Sequence, residues 1–257
     1  MVVVKRLLIT MSGARYDATT AKLCESAGKG WCDEVRVYDD VWVGAHPFRT
    51  LNRWLWNHPG DRNGKRGFGW YAWKSLIIID ALDRFCSDGD VVAYVDADTV
   101  PIADFRVLYD VAARDGVMLF KSQGHRQVTW CKADCYATMG QAPDIHLDAG
   151  VARFMSFAKG PWKPRQFLYE WLTYSVNRYA TTFDPSVISA EHSRLEEHRT
   201  EQAIMTNLAH RYGYKLHREC DESGEGWDED RDLYPQLFQQ VRQGGGNIEG
   251  GSRWRNV

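Results

Sequence analysis

Hydrophobic positions follow two rhythms along this chain. Short apolar or alternating runs at residues 3–10, 34–38, 90–95 and 117–120 predict strands. Between them, apolar residues recur every three or four positions and predict helices. Met11–Asp17 reads as a turn, with Asp17 as the N-cap of a helix reaching Ala27. Leu76, Ile77, Ile79, Leu82 and Phe85 form the broad apolar face of a helix over residues 70–85, and another helix is predicted over 103–114. This alternation predicts an α/β fold, a mixed and largely parallel sheet flanked by helices.

The second half has a different texture. Leu147–Phe154 reads as a strand entered through a polar loop. Pro164 starts a helix carrying Phe167, Leu168, Trp171 and Leu172 on one side. Thr200 starts another, with Ile204, Met205, Leu208 and Tyr212 on one face and Gly213 as its stop. After His217 the chain turns acidic and glycine-rich, and reads as loop rather than core. No repeat or flexible linker divides residues 1–257, so a single domain is expected, with halves at 1–125 and 126–220 and a loop-rich tail at 221–257.

Composition narrows the function classes. At 44% hydrophobic residues the chain has enough apolar surface to fold, which excludes a disordered protein. No apolar run approaches the roughly 18 residues of a membrane span. Lys plus Arg number 32 against 34 Asp plus Glu, a net charge of −2, which argues against dedicated nucleic-acid binding. Six scattered cysteines, no Asn-x-Ser/Thr sequon and no secretory pattern in Met1–Thr10 lead to the expectation of reduced thiols in a cytoplasmic protein. Peripheral attachment to the inner face of a membrane is compatible with this expectation. The 11 tryptophans stand out, five of them between Trp42 and Trp73. Trp70, Trp73 and Trp171 fall on predicted helices, as core or pocket wall. Trp42, Trp54 and Trp56 fall in a long loop, Asp40–Gly69, where flat rings can stack on a sugar or a nucleobase.

Tyr94-Val-Asp96-Ala-Asp98-Thr99 carries the sharpest candidate chemistry. Carboxylates at i and i+2 share one face of a strand about 7 Å apart, and the turn at the strand's C-terminal end can bring the second inward. Open α/β sheets place ligands at such ends, and these oxygen ligands suit Mg²⁺ or Mn²⁺ with phosphate oxygens completing the shell. The bland alternative is a helix cap at Asp98 or Thr99. Lys65-Arg-Gly-Phe-Gly-Trp-Tyr-Ala-Trp-Lys74 is a candidate anion site, because Lys74 sits in the first turns of a helix, where the dipole disfavours a cation unless a phosphate is present. Asp148-Ala-Gly150 and His198-Arg-Thr-Glu201-Gln202 are further polar clusters, each equally readable as a loop or a capped helix start.

Taken in order, Gly69-x-x-x-Trp73-Lys74, Tyr94-x-Asp96-x-Asp98, Lys132-x-Asp134-Cys135-Tyr136, Asp148-Ala-Gly150, Glu170-Trp171-Leu172 and His198-Arg-x-Glu-Gln202 resemble a GT-A glycosyltransferase. The likeness is to a poorly characterised group of bacterial polysaccharide clusters and viruses, and spans roughly residues 60–217. It implies a Rossmann-like GT-A domain whose first half binds a nucleotide-sugar, UDP- or GDP-linked, and whose second half meets a glycan or other hydroxyl acceptor. It implies Asp96 and Asp98 as ligands of Mn²⁺ or Mg²⁺, with Thr10, Arg15, Arg66, Lys74 and Asp96 around the donor, Thr10 and Arg15 being added by fold logic. Asp148, Glu201 and Gln202 become candidate catalytic residues, and Trp54, Trp56, Trp73, His198 and Arg199 line the sugar and acceptor pocket. The sequence departs from the pattern where Ser75 replaces Pro, Asp148 replaces Asn and Glu201 replaces Asp.

Two other readings compete. Val95-Asp-Ala-Asp-Thr99 also fits the opening motif of haloacid dehalogenase-like phosphatases, with Asp96 as nucleophile, although that motif belongs to a first strand and here two strand-like segments precede it. An aromatic-rich, non-enzymatic carbohydrate-binding module is the third class. A nucleic-acid acceptor is disfavoured by overall charge, with Arg62, Lys65 and Arg66 its only local support. The nearest candidate for a third metal ligand is His217.

Overall fold

A computed structural model describes residues 4–13, 17–58 and 68–241. The chain opens with β1 (Arg6–Met11), α1 (Asp17–Gly28) and β2 (Glu34–Tyr38). The aromatic stretch that follows is not one long loop. It folds into α2 (Asp40–Ala45), α3 (Pro47–Leu51) and α4 (Trp54–Asn57), the first capped by Asp39 accepting from Trp42 N at 2.6 Å. A tight turn at residues 68–71 leads into α5 (Trp73–Phe85), so Trp70 precedes the helix predicted to contain it.

Next come β3 (Val91–Val95), β4 (Thr99–Pro101), α6 (Val107–Asp115) and β5 (Val117–Arg126). Then α7 (Gln127–Trp130), α8 (Ala133–Met139), β6 (Asp148–Ala158), α9 (Trp162–Ser175) and α10 (Arg178–Thr181) follow. The described chain closes with α11 (Thr200–Tyr212), β7 (Leu216–His217) and β8 (Phe238–Gln240). Gly213, in the left-handed region, ends α11 as the sequence predicts.

The main sheet has the order β2-β1-β3-β6-β5-β7, with β1 parallel to both β2 and β3 and β5 parallel to β7. Only β6 runs against its neighbours, so the expected mixed and largely parallel sheet is what forms. Side-chain alternation divides the core into two layers. Leu7, Ile9, Val92 and Tyr94 face α5, α9 and α11, whereas Leu8, Val91, Ala93 and Val95 face α1 and α6.

The tail corrects the sequence reading. Cys220, Tyr234, Leu237 and Phe238 are buried in the second layer, and β8 pairs antiparallel with β4. Acidic and glycine residues dominate the composition there, but a few apolar anchors spaced along an irregular path are enough to hold it down. A third, smaller cluster joins Phe48, Leu55, Trp70, Ala72 and Leu76, with Trp42, Trp54 and Trp56 packed against it. Part of the tryptophan surplus is therefore a satellite core. No described helix is long and apolar enough to cross a membrane.

Candidate functional site

At the C-terminal end of β3 the chain leaves the sheet through Asp96. Asp96 N donates to Arg153 O at 2.8 Å and Thr99 N donates back to Asp96 O at 3.1 Å, which folds residues 96–99 into a turn. Asp96 Oδ1 accepts from the Tyr94 hydroxyl and, at 3.1 Å, pairs with Lys74 Nζ. Asp98 accepts from Thr99 Oγ1 at 3.3 Å and, through its other oxygen, from Gln240 Nε2 of the tail at 3.1 Å. The antiparallel β6 supplies the adjoining wall. Its register against β5 jumps from Met118↔Ser156 to Phe120↔Val151, two steps on one strand against five on the other. This wide bulge presents the Ala152 carbonyl, which accepts from Lys74 Nζ at 2.9 Å.

Lys74 projects from the first turn of α5 and is only 5% exposed. Its ammonium lies 3.5 Å from Glu201 Oε1 as well as beside Asp96, with the Tyr71 and Tyr94 rings 5.1 and 5.4 Å away. Burial works against its charge, but the two carboxylates outweigh that and raise its pKa. The mismatch with the helix dipole is thus answered inside the protein, by Asp96 and Glu201. Burial pushes the Glu201 carboxyl up, against the pull of Lys74 and of Thr200 Oγ1, which donates to Oε2 at 2.5 Å. Its backbone carbonyl is pinned by Trp171 Nε1 at 2.9 Å.

These groups border a cleft of about 380 Å³ that also takes in Trp70, Arg153, Phe183, His198, Arg199 and Gln202. Strained backbone concentrates there. Trp70, Tyr71 and Thr200 have φ of 55°, 57° and 44°, in the left-handed region, and all three line the cleft. Gly69, at φ 58°, begins this run with its α-carbon so close to Trp56 that an added Cβ would lie 2.7 Å from the indole. His198 is held as a neutral ring. Its Nδ1 accepts from Lys132 N at 3.3 Å and its Nε2–H reaches Ala180 O at 2.8 Å, while desolvation and Lys132 push its pKa down to about 3. Arg199 stacks over Trp130 at 4.3 Å.

No family model matches the chain, and no curated protein does. Among solved structures it is similar to mouse xyloside xylosyltransferase 1 in its apo form, at 10% identity and a TM-score of 0.42, over 96% of this chain and 98% of that one.

Of the residues singled out in the sequence, Lys74, Asp96, His198, Arg199, Glu201 and Gln202 line this one cleft. Others lie elsewhere. Asp148 begins β6, ion-paired to Arg126 at 2.6 Å and to Lys121 at 3.4 Å, outside the cleft lining. Gly150 serves helix packing, since its N–H donates to Thr206 Oγ1 of α11 at 3.0 Å. Thr10 is fully buried in β1, Trp73 is buried against Tyr94, and Trp56 packs in the satellite core. Trp54 lines a different concavity. Arg15 and Arg66, with Arg62 and Lys65, lie outside the described residues. Asp134 accepts from Val187, Ile188 and Ser189 N–H groups at 2.7–3.1 Å, so that motif ties down the segment leading to His198. His217 pairs with Asp230 at 3.1 Å.

Arg153 and Gln240 are cleft residues that the sequence reading missed. A lone cation inside the apolar run Gly150–Met155 was the available signal for Arg153. Burial opposes its charge, yet Asp221 and Glu219 hold its pKa up, and its guanidinium is paired with the fully buried Asp221.

Asp96 and Asp98 carry the carboxylate oxygens that hard divalent cations such as Mg²⁺ prefer, and Asp96 lines the cleft. Among the described residues no three His, Cys, Asp or Glu side chains converge as a cage. A magnesium-type ion needs no such cage, because one or two carboxylates with substrate phosphates and water complete its shell. Among the described residues the side-chain contacts of Asp96 fall on Oδ1, whereas both oxygens of Asp98 accept hydrogen bonds, from Thr99 and Gln240.

Proposed function

We propose that the chain transfers a sugar from a nucleotide-diphosphate-sugar to a hydroxyl acceptor, a glycan or polysaccharide precursor, in the cleft around Lys74, Asp96 and Glu201. The observation that carries this reading is the convergence of Lys74, Asp96 and the His198–Gln202 segment on one cleft at the strand ends. Those are the motifs whose order resembles the GT-A glycosyltransferases. Asp96 and Asp98 would hold Mn²⁺ or Mg²⁺, which when bound neutralises charge developing on the diphosphate leaving group.

The chain's own residues divide the remaining work. Glu201 takes the acceptor hydroxyl proton, and its burial-raised pKa makes it a stronger base than an exposed carboxylate. Lys74 fixes Asp96 and Glu201 relative to each other. Gln202, in the first turn of α11, offers an amide to the sugar hydroxyls, and Arg199 adds positive charge at the cleft.

The test is thermal stabilisation by UDP-, GDP-, CDP- and dTDP-sugars, with and without Mn²⁺, combined with transfer or donor hydrolysis by Asp96→Asn and Glu201→Gln. A metal-dependent rise in Tm with one donor and loss of turnover in both variants is expected. Absence of any shift, or full activity in Asp96→Asn, would overturn the assignment.

A further inference from the structure

A second concavity, of about 820 Å³, opens beside the first. Two stretches far apart in sequence line it, Trp54 and His58 from one and Asn177, Arg178, Tyr179 and Asp184 from the other. The two clefts share a wall. Trp70 and Phe183, which line the inner cleft, pack with ring centroids 5.0 Å apart, and Trp70 meets His58 of the outer cleft at 5.4 Å. Phe183 and Asp184 are consecutive residues that line the inner and outer clefts respectively. The two clefts are therefore neighbours on either side of one aromatic partition.

The lining of the outer cleft specifies what ligand it takes. Trp54 is half-buried, and Tyr179 is 39% exposed with the Arg178 guanidinium 5.5 Å from its ring. The Asp184 carboxylate lies 3.1 Å from His58 Nε2 and 3.6 Å from Arg178. Among the described lining residues Arg178 and Asp184 cancel in charge, so these residues give no net field to hold a phosphodiester chain or another polyanion. Instead it mixes aromatic faces with amide, guanidinium, carboxylate and phenol groups, which between them donate and accept. A polyhydroxylated ligand needs that mixture, since its C–H faces pack on rings and its hydroxyls both give and take hydrogen bonds. Size agrees. The outer volume lies within the roughly 300–1,000 Å³ of ligand clefts.

We infer that the outer cleft binds a neutral oligosaccharide, the part of the acceptor beyond the sugar that receives transfer, stacked on Trp54 and hydrogen-bonded by Asn177, Arg178 and Asp184. The acceptor role rests on the inner cleft being the transfer site; the binding itself does not.

The experiment titrates the full chain with maltohexaose, cellohexaose, xylohexaose, mannohexaose and chitohexaose, their monosaccharides, and hexagalacturonate as an anionic probe. At least one neutral hexasaccharide binds, more tightly than its monosaccharide. Trp54→Ala and Arg178→Ala each weaken it about five- to tenfold, and Trp162→Ala, an exposed tryptophan lining neither cleft, leaves it unchanged. Arg178 is 62% exposed, so its variant reads binding even if Trp54→Ala unfolds. Failure of every neutral hexasaccharide, tighter binding of hexagalacturonate, or indifference to Arg178→Ala overturns the inference. Donor stabilisation without glycan binding would remove the outer cleft and keep the transferase, and glycan binding lost with Arg178 but without any donor response would do the reverse.

Discussion

Lys74 Nζ stands 3.1 Å from Asp96 Oδ1, joining the first turn of a helix to the end of the central strand. Glu201 Oε1, from a helix that begins more than a hundred residues later, closes the group at 3.5 Å. With Lys74 6% and Glu201 5% exposed as side chains, this is a desolvated charge cluster, and its members depend on one another.

Removal of the cation alone should be costly. Lys74→Met leaves two carboxylates facing each other without their counter-ion, and a loss of about 3–5 kcal/mol is expected in urea unfolding. Combining it with Glu201→Gln should cost less than the sum of the two single changes, since one buried charge is removed with its partner. Strict additivity would show that the pair is not coupled.

Two buried groups pull the pH dependence of stability in opposite directions. His198 is held at about 3 from an ordinary 6.5, so between those values the unfolded chain binds more protons. Its contribution is complete above pH 6.5 and is lost as pH falls toward 3. Glu219 is pushed up to about 7 from 4.5 by burial and by Asp221, so its contribution is present below 4.5 and lost as pH rises through 7. Relative to wild type, His198→Gln should flatten the acid limb and Glu219→Gln the neutral one, each by up to about 1.4 kcal/mol per pH unit. Chemical denaturation at a series of pH values reads both slopes.

Gly150 should tolerate no side chain. A Cβ there would lie 2.6 Å from Thr206 Oγ1 and 3.1 Å from Met205 Cε. Gly150→Ala is expected to cost about 1–3 kcal/mol through overpacking. Adding Thr206→Ala should recover part of that loss, and a thermal melt of the double variant checks it.

Phe238 is fully buried between Phe105, at 5.2 Å, and Phe154, at 6.0 Å. Phe238→Ala should cost about 3–5 kcal/mol, the loss typical of a large core aromatic, and lower the urea midpoint accordingly. An unchanged midpoint would return the tail to the status of a surface loop.

What was legible in the sequence follows from how local each signal is. Strand β2 shows as an alternating run, β3 as a short apolar one, and α11 as a 3.6-residue stripe ended by Gly213, because these patterns are written within one element. Asp96 was legible because a pair of acids after an apolar strand is conspicuous. Arg153 was not, since its exposure to the cleft comes from a bulge in pairing with β5, which no single-strand pattern records. Tail burial was hidden for a similar reason. Tyr234, Leu237 and Phe238 are too few to make a periodic face, and they become core only because the second layer has a gap for them. Lys74 was placed on the right helix, but its partners, Asp96 and Glu201, are set by tertiary contact.

The pairing of β8 with β4 has a consequence for the order of events during synthesis. Gln240 meets Asp98 across a separation of 142 residues. Contacts this distant in sequence close late, after the sheet and its helices have given the ends a common frame. While the ribosome still holds residue 240, the Asp96–Asp98 turn can exist but lacks the strand that braces it. Competence at this turn therefore waits on β8, and termination upstream of β8 would yield a chain whose main sheet is complete and whose Asp98 lacks Gln240.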